Sequence, residues 1–335
     1  MKCKYDQIYI LCPKKYASGG PDALHQLSYY INRIGFKSVY MAYTDLKKGE
    51  EGLNPNYRIY HTKSVRISEI IDSERSLIII PENLFRYSSL FKKANTSIWW
   101  LSVDNFNKKS IRYDFKQLLL SLSCFDWENF YLYFKLIFLK NKKECNYFSA
   151  SYYANDFLNK KGIENNLLIE PISLEFLNEY KKSIKHEKKL ERKKQILFNP
   201  KKGYGLTKSI MKYNEQYTFI PLTGYSFKEL VDLYKTSSLY IDFGSFPGAE
   251  RMPKEAVLFG CNIITGKHGA SNYYKDVCIS DKWKFEDTQL LEISNAIEEL
   301  IESYEKYNVD FIPYKERVLN LENEFLDRLK LYFFN

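Results

Sequence analysis

The chain lacks any paired cysteine motif. Its six cysteines, at positions 3, 12, 124, 145, 261 and 278 of 335 residues, form no Cys-x-x-Cys and no Cys/His spacing of a zinc site. A disulfide scaffold and a structural zinc centre are therefore excluded, and Cys12 and Cys278, set in apolar runs, read as small hydrophobes in a reducing cytoplasm. Glycine is scarce at 14 residues and no segment repeats at a fixed period, which excludes collagen-like and solenoid chains. The longest apolar run, Phe130–Leu139, is interrupted by Lys135 and is too short to span a bilayer. The first residues, MKCKYDQIYILCPKK, have neither a helical apolar core nor a small-residue cleavage site, so no signal peptide is expected. Acidic residues are the minority, 41 against 50 basic, giving a formal charge of +9. That sign suits nucleic acid, an anionic membrane face or a phosphorylated ligand. The excess is concentrated, since Lys181–Lys194 holds eight Lys/Arg and two Glu, which also fits one solvated segment.

What the chain does have is aromatic and apolar mass: 45% hydrophobic positions, with 29 Tyr and 23 Phe. Global disorder is excluded, and the length predicts two domains, each with its own core. Strand-like runs at Gln7–Cys12, Val39–Tyr43, Leu77–Ile80 and Ser97–Val103 alternate with helical patterns. Leu24, Leu27, Ile31 and Ile34 share one helical face that Gly35 terminates. Residues 107–143 form an aromatic, basic helical insertion, read either as core with a solvated rim or as a surface that docks on anionic lipid. Leu167–Ile172 looks like a strand and Ser173–Arg192 like a charged helix or linker. Alternation then restarts with Ile196–Phe198, Thr218–Leu222, Leu239–Phe243, Asn262–Thr265 and Val277–Ile279 as strands, and Leu290–Tyr307 and Lys315–Phe333 as long helices. The predicted architecture is two doubly wound α/β domains facing across a cleft. The boundaries expected are 1–175, 176–315, and a final helix 316–335 that packs back on the first domain.

The most informative stretch runs from Tyr240 to Thr265: strand, Gly/Pro loop, helix, Gly turn, strand. Pro253 fits a first helical turn, where a missing N–H is harmless. Amides there suit a phosphate, with Arg251 beside them. Glu255 either receives hydrogen bonds from vicinal ribose hydroxyls or caps the helix. Asp242-Phe243-Gly244 also occurs in protein kinases as a magnesium ligand. With no glycine-rich phosphate loop before it and no His-Arg-Asp upstream, that reading falls, and Asp242 is either structural or cleft-facing.

This stretch resembles the donor-nucleotide site of GT-B glycosyltransferases, in which a Glu-Ala pair opens a helix that ends in Gly before a strand. Glu255-Ala256, Gly260 and Ile263-Ile264-Thr265 match that form. The resemblance implies that Glu255 binds the donor ribose. Retaining members often carry a second Glu eight residues earlier. Pro247 stands there in this chain, so that carboxylate is missing or displaced to Glu250. The pattern Asp-Phe-Gly, Pro-Gly248, Arg251-x-Pro-Lys-Glu-Ala is closer to a smaller bacterial group that resembles envelope-polysaccharide transferases. By the same resemblance, Lys202, or else Lys201, reaches the donor phosphates from the turn after Ile196–Phe198. Thr223 and Tyr225 flank the base, with Ser226 either part of that loop or a helix cap, and His268 and Ser271 face the sugar and phosphate. Gly19 and Gly20 approach phosphate and acceptor. Three acceptor-side groups are candidate bases: Asp104, Glu82, and His25, which is alternatively a packing residue.

The expected activity is glycosyl transfer from a nucleotide-sugar to a hydroxyl of a glycan or lipid-linked acceptor, in the cytoplasm or at the inner face of the cell membrane. No metal or other cofactor is expected, a basic pocket doing the work of a divalent ion. Two alternatives carry less of the pattern. One is a sugar-nucleotide epimerase on the same fold. The other is a nucleic-acid-binding protein, against which stands the confinement of the basic excess to one segment.

Overall fold

The computed structural model describes residues 3–15, 17–46, 49–50, 52–104, 111–123, 125, 127, 130–131, 134, 144–186 and 191–334. Much of the predicted insertion 107–143, and residues 187–190 of the charged segment, lie outside the described residues. The chain divides into two compact units, Met1–Glu170 with Asn323–Asn335, and Pro171–Glu322.

Among the described residues, unit 1 holds seven strands: β1 (Gln7–Cys12), β2 (Val39–Tyr43), β3 (Lys63–Arg66), β4 (Ser76–Pro81), β5 (Asn95–Trp100), β6 (Asn146–Ser149) and β7 (Asn166–Leu167). They form one parallel sheet in the order β3-β2-β1-β4-β5-β6-β7. The central strands are continuous apolar runs because a parallel sheet is covered on both faces; Ile8, Ile10, Leu77, Ile78, Ile79 and Ile80 are all fully buried. Helices α1 (Gly19–Arg33), α2 (Ile111–Ser123) and α3 (Tyr152–Lys160) belong to this unit. Leu24, Leu27 and Ile31 are buried, as their spacing predicts, but α1 is covered more widely, with Pro21 through Ser28 all buried.

Unit 2 holds β8 (Lys193–Phe198), β9 (Thr218–Pro221), β10 (Ser237–Asp242), β11 (Asn262–Gly266) and β12 (Lys284–Phe285), parallel in the order β12-β11-β10-β8-β9. Its helices are α4 (Leu174–His186), α5 (Tyr204–Tyr213), α6 (Phe227–Thr236), α7 (Arg251–Leu258), α8 (Leu290–Glu302) and α9 (Tyr304–Asn308). The last helix, α10 (Ile312–Phe333), begins in unit 2 and ends in unit 1, where Phe325 packs against Tyr30 and Trp99.

Each sheet reverses its direction of winding once: between β1 and β4 in unit 1, and between β8 and β10 in unit 2. Loops leaving the carboxyl ends of those strand pairs splay apart there, and doubly wound sheets take their ligands in that crevice. In unit 2 the two loops are Asn199–Gly203 and Phe243–Glu250. Among the described residues no helix is long and apolar enough to cross a membrane.

Three local expectations need correction. Val277–Ile279 is not a strand. Its amides close short-range turns (Val277 to Tyr273, Ile279 to Val277), and Lys284–Phe285 takes the sheet edge beside β11. Of Leu167–Ile172 only Leu167 pairs in the sheet. Strand β3 was missed because its four residues, Lys-Ser-Val-Arg, make a polar edge with no apolar run.

Unit 2 is closed at the amino end of its sheet by Arg192. Its guanidinium donates to the carbonyls of Tyr234, Ser237 and Phe259, and it lies 5.5 Å from the centre of the Tyr304 ring. Arg192→Ala removes the charged donor from all three carbonyls and leaves only the weak Cys261 thiol on those of Tyr234 and Ser237, and we expect a loss on the order of 2–4 kcal/mol in urea denaturation of unit 2. A variant with an unchanged midpoint would show that water replaces the guanidinium.

Candidate functional site

The crevice of unit 2 is built from backbone pressed on backbone. Gly203 ends the loop after β8 at φ +63°, and a methyl group built on it would stand 2.3 Å from the carbonyl oxygen of Phe243. Gly269, in the loop after β11, has φ +46°, and the same construction falls 2.1 Å from the carbonyl oxygen of Phe246. Both positions need glycine twice over, for conformation and for space. Phe246 is itself at φ +46° and fully buried, and its carbonyl accepts the amide of Ala270 at 2.8 Å. A buried phenylalanine in the left-handed region persists only where its surroundings fix it.

On this frame stand the charged residues. Lys202 Nζ lies 2.7 Å from Glu250 Oε1, with side chains 36% and 21% exposed. Lys201 is exposed, and its amide bonds to the Asn199 side chain. Gly248 is buried within the loop. Asp242 accepts from Tyr240 Oη at 2.7 Å and from the Gly244 amide at 2.9 Å, which is the structural role. Burial pushes its carboxyl up to about 6 against those two donors.

Glu255 departs from expectation. Its carboxylate is 2% exposed; Tyr234 Oη donates to one oxygen at 3.1 Å, and Arg251 Nε meets the other at 3.2 Å. It is neither a cap nor presented to a ribose: it braces Arg251 from beneath. Ser271 also departs. It is fully buried, receives the His268 amide at 3.0 Å and sits against the carbonyls of Gly266 and His268, so it holds its own loop rather than a ligand. His268 pairs through Nε2 with Asp287 Oδ1 at 2.8 Å. Thr223 is exposed, Tyr225 presents a ring 41% exposed, and Ser226 forms a capping box with Glu229 at the start of α6. Sequence reasoning missed Tyr234, whose hydroxyl reaches Glu255 from another helix, and Tyr204, exposed at the first position of α5 directly after Lys202-Gly203. Tyr204 carried a signal, an aromatic beside the basic turn; Tyr234 carried none.

In unit 1 the three candidate bases separate. His25 is completely buried. Nδ1 lies 2.6 Å from the Pro21 carbonyl and must donate to it, which leaves Nε2 to accept from Tyr43 Oη at 2.7 Å. Its ring stacks on Tyr57 at 4.2 Å. Burial lowers it to about 4, with the Pro21 carbonyl and Asp22 opposing. This is the packing histidine, with no nitrogen left to receive an acceptor's proton. Glu82 lies at the switch point after β4, 4% exposed, and accepts the Leu101 amide at 3.0 Å. Burial pushes it up to about 7 against backbone donors at Leu101, Glu82 and Ser102. Asp104 alone of the three is exposed, in the turn after β5. Gly19 and Gly20 are the first residues of α1, but the positive end of that helix already holds a carboxylate. Asp22, buried, accepts from Tyr60 Oη at 2.7 Å and Gln26 Nε2 at 3.0 Å.

Two doubly wound parallel units with these switch points have the fold of the GT-B glycosyltransferases. Among solved structures, a sucrose-phosphate synthase from Thermosynechococcus elongatus superposes with a TM-score of 0.64 at 12% identity, over 97% of this chain and 98% of that one. Anabaena HepE, determined with UDP and glucose, gives 0.62 at 10% identity over 97% and 99%. WaaG, a glycosyltransferase involved in lipopolysaccharide biosynthesis, gives 0.55 at 11% over 96% and 98%. No family model and no curated protein matches the chain in sequence.

Glu82 yields a pH prediction. Its folded pKa of about 7 lies above the ordinary carboxyl value, so between pH 4.5 and 7 the folded chain holds more protons than the unfolded one, and stability falls as pH rises. We expect Glu82→Gln to flatten that decline, by roughly 2–3 kcal/mol across the window. Urea midpoints measured from pH 4.5 to 8 check it; an unchanged slope would show that Glu82 ionises freely in place.

Proposed function

We propose that the protein is a glycosyltransferase that takes a nucleotide-sugar donor on unit 2 and passes the sugar to a hydroxyl of a glycan or lipid-linked acceptor in bacterial surface-polysaccharide synthesis. The observation that carries this reading is the placement of Lys202 and Glu250 on the two loops of the β8/β10 switch point, with Arg251 at the first position of the helix that follows, where doubly wound sheets hold nucleotide phosphates. HepE, whose structure contains UDP and glucose, and WaaG, with its part in lipopolysaccharide biosynthesis, support the donor class and the pathway.

In the reaction the bond from the sugar's anomeric carbon to the donor phosphate breaks, and the acceptor oxygen bonds to that carbon. The departing diphosphate takes the electron pair, and the hydroxyl proton passes to a basic oxygen. The work of unit 2 is electrostatic: Lys202 and Arg251 offset the charge that develops on the leaving group. Glu255 keeps Arg251 in place. Tyr204, directly after Lys202-Gly203, and Tyr225, in the loop after β9, offer exposed rings for the base. Asp104 is the acceptor-side carboxylate open to a ligand.

Thermal-shift screening against UDP-, GDP-, ADP- and CMP-linked sugars, followed by mass analysis of products with a hydroxyl acceptor, tests the proposal. Stabilisation by no member of that panel would defeat it, and an isomerised donor with no larger product would make the enzyme an epimerase. Lys202→Ala should weaken UDP on the order of tenfold, the scale of one charge-assisted contact, and leave uridine affinity nearly unchanged. Equal losses by calorimetry would remove Lys202 from the phosphate site.

The acceptor reading extends to a membrane surface. Residues 107–143 carry eight Lys/Arg against three Asp/Glu, and among the described ones Phe115, Leu119, Leu120, Leu122, Phe125 and Trp127 are exposed. Apolar side chains set among cations suit the face of an anionic bilayer. The protein should sediment with phosphatidylglycerol vesicles and not with phosphatidylcholine ones, and Phe125→Ser/Trp127→Ser should release it. Equal sedimentation with both lipids, or none, would confine the acceptor to soluble glycans.

A further inference from the structure

The Lys202–Glu250 pair sits where the proposed function needs an unoccupied cation. The stem of Lys202 crosses Gly244: a methyl group built there would stand 2.9 Å from Lys202 Cβ and 3.2 Å from its Cδ. The ammonium is thereby aimed along the β10 loop to Glu250 Oε1 at 2.7 Å, forty-eight residues further on in sequence. Glu250 is the residue before the first turn of α7, yet its carboxylate makes no capping hydrogen bond there. Its carboxylate is paired with the lysine instead. The neighbouring cation, Arg251, likewise holds the carboxylate of Glu255. Lys202 and Arg251 thus each already face a carboxylate, with Lys201 exposed beside them.

We propose that Glu250 is the resident counter-ion of Lys202, displaced when the diphosphate of the donor arrives. The proposal rests on the nucleotide-sugar reading of unit 2. It follows from what an exchange of anions can gain. A ligand with a single negative charge replaces one carboxylate by an equivalent partner and gains little, because the pair it breaks is as good as the one it makes. A diphosphate brings further charge, for which Arg251 lies next in sequence to the displaced residue. Glu250 is not stranded by the exchange, since the amino end of α7 stabilises a carboxylate released beside it. The site accordingly rejects chloride and other small anions in its resting state and opens to a polyanion.

Calorimetry with inorganic pyrophosphate, a probe independent of the base, on wild type, Glu250→Gln, Lys202→Ala and the double variant tests this. Glu250→Gln should tighten pyrophosphate roughly five- to tenfold, the scale of one removed charge interaction near a protein surface. Lys202→Ala should weaken it, and the double variant should bind like Lys202→Ala alone, because the gain acts through the lysine. If Glu250→Gln binds no better or binds worse while Lys202→Ala weakens binding, Glu250 orients Lys202 and the counter-ion idea falls. It falls as well if the gain persists in full without Lys202, which would make Glu250 a simple repulsive charge. If Lys202→Ala leaves pyrophosphate affinity unchanged, the phosphate-site reading itself is overturned.

Discussion

Three loops at the carboxyl end of the second sheet meet main chain to main chain, with no side chain between them at Gly203 and Gly269. Everything placed on them inherits that constraint. The β10 loop cannot shift toward the β8 loop without driving Phe243 into Gly203, nor toward the β11 loop without driving Phe246 into Gly269. The charged residues of the crevice therefore stand on a surface whose shape is set by backbone carbonyls, and electrostatic stabilisation of a leaving group requires that kind of fixed frame.

On that frame the charges are arranged in depth. Asp242 lies lowest and ties the turn that begins the loop. Glu255 lies under Arg251 and is held from the other side by Tyr234. Glu250 and Lys202 are partly exposed as a pair, and Arg251 reaches the surface as far as Lys202 does. Of the two buried carboxylates only Glu255 holds a cation, Arg251, while Asp242 is spent on the Tyr240 hydroxyl and the Gly244 amide. In unit 1 the counterpart residues were mostly drawn inward. His25 and Asp22 close an aromatic cluster with Tyr43, Tyr57 and Tyr60, and Glu82 ties the ends of two strands.

The strands with one strong apolar run were readable to the residue, as β1 and β2 show, because burial on both faces leaves no other composition. The switch-point loops were readable too, since Lys-Lys-Gly and Asp-Phe-Gly…Pro-Gly interrupt apolar strands with residues only a loop or a ligand needs. Which side chains reach the surface of those loops was not readable. Glu255 looked like a ligand because its place in the helix matched, but the hydroxyl that covers it comes from Tyr234, twenty-one residues away and indistinguishable in sequence from any core tyrosine. Ser271 and His25 misled for the same reason: a polar residue in a loop or a first helical turn is satisfied by nearby backbone and core hydroxyls as readily as by a substrate, and spacing does not separate the two. The polar edge strand β3 failed for want of any hydrophobic period.

The chain order of the two units carries a consequence for synthesis. The first sheet is translated early, but the slot between Tyr30 and Trp99 is filled by Phe325, and residues 323–334 close that face. While the ribosome makes the intervening segment, the early-made unit waits with an uncovered apolar seam. The later-made unit has all its parts first. Maturation thus runs against the direction of translation, and the interval is when chaperone protection matters most.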